Sequence, residues 1–164
     1  MADRRLLVRI APDPNGEVMS RPNSTNDRII EQMIALARCT QQDRIVVAGA
    51  KALELMSALQ RRGYLRASAT ANCGRAAKQY NAALVDWRQR SLPALEPTLV
   101  WLVDYLNPTG VLVIWVDPQR PAANQDLRAA LQRHGFRVEA ATAYDYGYVI
   151  SARRSEVSPL SQAA

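Results

Sequence analysis

Residues 111–116 read Val-Leu-Val-Ile-Trp-Val, an unbroken apolar run dominated by β-branched side chains and closed by Asp117-Pro118. The run is too short for a buried helix and suits a strand covered on both faces. A strand of that kind needs a layer of helices above it and another below. The rest of the chain must supply those layers and further strands to pair with.

It has the pattern to do so. Residues 44–50, Arg-Ile-Val-Val-Ala-Gly-Ala, form a second short apolar run ending at a glycine; residues 64–71 and 81–87 read as two more strands. Between them lie helical periodicities. Ile29, Ile30, Met33, Ile34 and Ala37 recur at helical spacing behind cap candidates Ser24, Thr25 and Asn26, with Asp27 in the first turn. Leu53, Leu55, Met56 and Leu59 precede Arg61-Arg62-Gly63, where the glycine suits a helix end. Pro93 opens a helix to about Leu106, with Pro108 and Gly110 expected to terminate it. Pro121 is expected to delay the next helix, so that Asn124 caps it ahead of Leu127, Ala130, Leu131 and His134. Residues 136–143 and 147–153 read as strands joined by a hairpin at Tyr144-Asp145-Tyr146.

Strand alternating with helix predicts an α/β three-layer sandwich: a mostly parallel sheet with a C-terminal antiparallel hairpin. Ligands of such sheets sit beyond the carboxyl ends of the strands, where the strand order reverses. The candidates at that address are Gly49, Ala50 and Lys51 after one strand, Asn72 and Cys73 after the next, and Asp86 and Trp87 after the third.

The length of 164 residues suits one domain, and 48% hydrophobic with 22% charged residues are globular values. Residues 27–154 carry the regular pattern. Residues 1–26 read as an arm or docked strand, with Leu6, Val8 and Ile10 alternating, and residues 155–164 as a polar flexible tail. No apolar run is long enough to span a bilayer, and the N-terminal stretch has no apolar core of a secretory signal. Cys39 and Cys73 are too few for a disulfide scaffold and lack metal-ligand spacing, so a cytoplasmic protein with reduced thiols and no metal site is expected. The net charge of +6 is regional: residues 44–91 hold nine basic groups against Glu54 and Asp86 alone. An excess of that kind suits an acidic protein partner or nucleic acid, set against the plainer reading of an arginine-rich solvated surface.

The stretch LVDYLNPTGVLVIWVDP at 102–118 resembles the helix, Pro-Gly turn and strand of class I S-adenosylmethionine-dependent methyltransferases. Residues 124–154 are similar to that family's last helix and closing hairpin, 29–50 to its first helix and strand, and YNAALVDW at 80–87 to a strand written there as "fD" and two apolar residues. The resemblance implies a Rossmann-like fold and an S-adenosylmethionine site at Gly49, Ala50, Lys51, Asn72 and Trp87. The sequence departs from the family where the cofactor would be gripped. Only Gly49 of the family's glycine-rich loop is present, with Lys51 and Leu53 at the next two glycine positions and Val47 at the acidic one. Asn72 stands nearest to where a ribose-binding acid is expected, and residues 72–80 are too few for the strand-helix unit that the family places there. Residues 44–87 also resemble a response-regulator receiver domain with Asp86 as phosphoacceptor, although Gly49-Ala50 stands where its acidic pair would be.

The resulting expectation is a methyltransferase-like domain with a degraded cofactor site and a regulatory or interaction role. The alternatives are an active methyltransferase and a receiver-like module that is not phosphorylated. Asp86 is the catalytic candidate, set against a loop carboxylate paired with Arg88 or Arg90. Lys51 is expected to project into the cleft and to meet Asp86 or Glu54. Trp87 is a candidate to stack on an adenine, whereas Trp101 and Trp115 read as core. His134, the only histidine, reads as a helix-end residue, and Cys39 as packing.

Overall fold

A computed structural model describes residues 25–69 and 78–155. The elements run α1 (Thr25–Ala37), β1 (Ile45–Gly49), α2 (Ala52–Arg61), β2 (Ala67–Ala69), β3 (Tyr80–Asp86), α3 (Leu95–Tyr105), β4 (Leu106–Val116), α4 (Pro121–Arg133), β5 (Phe136–Tyr144) and β6 (Gly147–Arg154). The strands form one sheet in the order β2-β1-β3-β4-β6-β5. β2, β1, β3 and β4 are mutually parallel, and β6 pairs antiparallel with both β4 and β5. This is the expected three-layer α/β sandwich. A receiver domain would share the 2-1-3-4 order of the parallel strands; the antiparallel β5–β6 hairpin is the methyltransferase-like feature.

Strand alternation divides the core in two. Val46, Ala83, Val85, Leu112 and Ile114 face one side, where α3 (Leu95, Leu99, Leu102) and α4 (Leu127, Leu131) cover them. Ile45, Val47, Leu84, Val113 and Trp115 face the other, under α1 (Ile29, Met33) and α2 (Leu55, Leu59). Both faces of residues 111–116 are thus buried, as their composition requires.

Three local expectations are corrected. β2 is shorter than residues 64–71, because the chain leaving α2 first turns: Tyr64 N–H donates to the Leu59 carbonyl and Ala67 N–H to that of Tyr64. α3 stops before reaching Pro108, and Leu106 already belongs to β4. The fully buried Leu106 pairs with Tyr80 across an irregular step in β3, which draws residues 106–110 into the sheet. α4 starts at Pro121 itself, with Arg120 as its cap. Proline is pre-set for the first helical turn, so Pro121 opens the helix that Asn124 was expected to cap. The arm or docked strand expected at residues 1–26 lies, up to residue 24, outside the described residues, as do Asn72, Cys73 and the tail from residue 156. Among the described residues no helix is long and apolar enough to cross a membrane.

Candidate functional site

The strand order reverses at β1, between β2 and β3. A cleft of about 280 Å³ opens there on the α1/α2 face. Asn26, Asp27, Ile30 and Met33 of α1 form one wall, and Lys51, Glu54, Leu55, Ala58 and Arg61 along α2 form the other. Asp86, Arg88 and Trp115 close it at the carboxyl ends of β3 and β4.

The floor is a stack of three side chains. Asp86 is 4% exposed and ends β3. Its carboxylate accepts two bonds from Arg88, Nε to Oδ1 at 2.9 Å and Nη2 to Oδ2 at 2.6 Å. This is the two-pronged geometry that matches a planar guanidinium to a carboxylate. The Arg88 backbone N–H adds a third bond to Oδ1 at 3.2 Å, closing a local turn. The guanidinium lies 3.5 Å from the centre of the Trp115 ring, a cation–π contact, and its Nη1 reaches Asn26 Oδ1 at 3.3 Å. One arginine therefore ties β3, β4 and the start of α1 together.

Gly49 is the hinge of the cleft. It pairs with Asp86 in the parallel register and has φ +109. A Cβ at this position would overlap the Asp86 carbonyl, so both conformation and close approach call for glycine. Ala50 and Lys51 make the whole connection to α2. Both are exposed, and Lys51 caps α2 with no side-chain hydrogen bond to the helix. Lys51 does line the cleft, but the partnership expected for it is not formed: among the described residues it has no ion pair, because Asp86 is taken by Arg88. Leu53 is 58% exposed and points away from the core.

Of the sequence candidates, Gly49, Lys51 and Asp86 come together at this edge, with Ala50 in the turn. Trp87 does not join them. It is 3% exposed in the α3/α4 core, and its indole N–H donates to the Ser91 carbonyl at 2.9 Å, so it is not free to stack on a ligand. The alternation of β3 decides this, since consecutive residues take opposite faces. Trp115 is buried as expected, but its role as the platform under Arg88 was not legible, because it depends on the register Asp86↔Trp115 between β3 and β4. The α1 wall was likewise not foreseen. Its residues read simply as the start of a helix.

Other titratable groups lie elsewhere. His134 caps α4, with Nε2 4.0 Å from Glu96. The Arg133 hydrogen bond holds the Glu96 carboxyl below its ordinary range. Burial, aided by Asp43, pushes the Cys39 thiol up to about 12. Among the described residues no cluster of three or more His, Cys, Asp or Glu could hold a metal.

No family model matches the sequence, and no curated protein sequence matches it. Solved structures do match. The chain is similar to 1,6-didemethyltoxoflavin-N1-methyltransferase of Burkholderia thailandensis, solved with S-adenosylhomocysteine, at 15% identity over 79% of this chain and 77% of that one, TM-score 0.55. It is similar to precorrin-6y C5,15-methyltransferase of Geobacter metallireducens at 12% identity over 80% and 90%, TM-score 0.52. It is also similar to the [4+2]-cyclase SpnF at 11% identity over 78% and 81%, TM-score 0.58. The chain has a class I methyltransferase-like, Rossmann-like fold. At these identities the likeness is one of fold, and a cyclase among the neighbours illustrates that this fold carries more than one chemistry.

Proposed function

We propose that this chain is a methyltransferase-like domain whose S-adenosylmethionine cleft has been remodelled by its own side chains, and that it works by binding rather than by methyl transfer. The observation that carries this reading is the Asp86–Arg88 pair laid on Trp115. The carboxylate at the end of β3 is fully engaged by a neighbouring cation, and the guanidinium covers the aromatic surface beside it. Neither group is left free to receive a ligand.

The residues at the start of α2 support the same reading. Two of the similar structures are methyltransferases, one of them solved with S-adenosylhomocysteine, and a cofactor of that size needs backbone it can approach closely. Among the described residues of the β1–α2 turn only Gly49 lacks a side chain, its bare side faces the Asp86 carbonyl, and Lys51 lines the cleft beyond it. Among the described residues, the engaged Asp86–Arg88 pair and Lys51 do not suit the cofactor.

Opening the cleft tests the reading. The Lys51→Gly variant removes a long side chain from the cleft lining at the cap of α2, a position where glycine is tolerated. It is expected to gain affinity for S-adenosylhomocysteine that the native chain lacks. Equal micromolar affinity in both proteins would return the chain to the active methyltransferases.

A further inference from the structure

Lys51, Arg61 and Arg88 line the cleft beside Asp27, Glu54 and Asp86. A second set of basic residues lies at the opposite edge of the sheet, where the parallel strands begin. Arg66 directly precedes β2, Arg44 directly precedes β1, Lys78 stands just ahead of β3, and Arg154 ends the antiparallel β6 beside the start of β4. In the strand order these cations follow one another from β2 to β6, a row of about 19 Å at the usual strand spacing.

Their hydrogen bonds explain why the charge stays available. Arg66 Nη1 donates to the Gln42 carbonyl at 3.2 Å, Arg44 Nη1 to Gln79 Oε1 at 3.0 Å, and Arg154 Nη1 to the Leu106 carbonyl at 3.0 Å. Each guanidinium reaches sideways to a neutral acceptor on the next strand's approach. It is held in place without being neutralised. Lys78 is exposed, its backbone N–H bonded to the Asp104 carbonyl. Among the described residues none of these four has an ion pair within 4.0 Å, whereas Arg153 further along the edge is paired with Glu139. A second cleft of about 240 Å³ lies within the row, between Arg44 and Arg66, with Tyr80 and the 75% exposed Leu65 in its lining.

We propose that this edge is a docking surface for a single-stranded nucleic acid, with successive phosphates on Arg66, Arg44, Lys78 and Arg154. The match is one of charge and shape. A row one cation wide follows one phosphate backbone, and pre-ordered guanidiniums are suited to phosphate oxygens. The Arg44–Arg66 cleft offers a partly apolar seat beside the backbone path. Half-buried Tyr105, next to the Asp104 carbonyl that the Lys78 N–H bonds and in edge-to-face contact with Trp101, adds aromatic surface of the type that single strands use. The surface is separate from the α1/α2 cleft and stands whether or not that cleft takes a cofactor.

Fluorescence anisotropy with a labelled mixed-sequence 20-nucleotide single strand tests it, across a salt series. The expected slope of log affinity against log salt is about −3, from four phosphates at roughly 0.7 each. The Arg66→Gln, Lys78→Gln variant alters two exposed side chains. It is expected to lose at least tenfold in affinity and to flatten the slope by about 1.4. Arg154→Gln should flatten it by about half as much. Arg28→Gln, Arg120→Gln, which removes the same charge away from the row, should bind as the native protein does. Absence of binding by the native chain at low salt would overturn the proposal, as would an equal loss in the Arg28, Arg120 control. Poly-glutamate competing as well as the oligonucleotide at equal charge would also overturn it and assign the edge to an acidic protein.

Discussion

Arg88 grips Asp86 through two parallel bonds of 2.9 and 2.6 Å while lying flat on Trp115. The carboxylate is buried and the arginine side chain mostly so. Removing one partner leaves an unpaired buried charge, which costs more than the pair contributes. Arg88→Ala is therefore expected to destabilise the fold by about 3 kcal/mol in urea unfolding. Replacing both residues, as Asp86→Leu, Arg88→Met, should cost clearly less. Equal losses in the two would mean that packing on Trp115, not charge compensation, dominates.

Gly49 and Gly135 both have positive φ, but only one is hemmed in. At Gly49 a Cβ would overlap the Asp86 carbonyl, whereas at Gly135 no atom lies within 4 Å. Gly49→Ala should cost about 4 kcal/mol, combining strain with a backbone clash between two central strands. Gly135→Ala should cost only about 1 kcal/mol, from conformation alone. Thermal melts of the two variants separate these contributions.

Burial first, and Asp43 second, raise the Cys39 thiol to about 12. In a Cys73→Ser background, its alkylation at pH 8 is expected to run roughly a thousandfold slower than that of a free thiol, because the thiolate is the reacting form. The sign for stability follows. The folded state holds the proton longer than the unfolded state, so this contribution is complete below about pH 9 and is lost as pH rises towards 12. Cys39→Ala should flatten that alkaline decline.

Glu96 is held low by its hydrogen bond from Arg133, with His134 adding to the effect. Side-chain carboxyl titration by NMR should place Glu96 below the ordinary glutamate range in the native chain. In Arg133→Gln it should move back up. The contact is present above the unfolded-state value and weakens as pH falls through the lowered one.

Periodicity made most of the fold legible. The continuous run 111–116, the glycine ending residues 44–50 and the terminal hairpin each depend on local sequence, and each is where it was expected. Pro121 and Leu106 were misread for a shared reason. Proline reads as a breaker until a helix start is known, and Leu106 joins β4 only because a partner strand waits at Tyr80. At the site, Gly49 and Asp86 could be placed from their strand ends alone. Trp87 and Trp115 could not, because which face each takes depends on strand phase and register. The cation row was invisible for the same reason. Its members come from four strands that only the sheet order lines up.

Calorimetric titration of the native chain with S-adenosylhomocysteine tests the central claim most directly, because it asks whether the Asp86–Arg88–Trp115 floor and Lys51 leave room for the cofactor. The account predicts no binding heat up to millimolar ligand. Saturable binding at micromolar Kd, lost on mutation of Gly49 or Asp86 to residues that still fold, would contradict it.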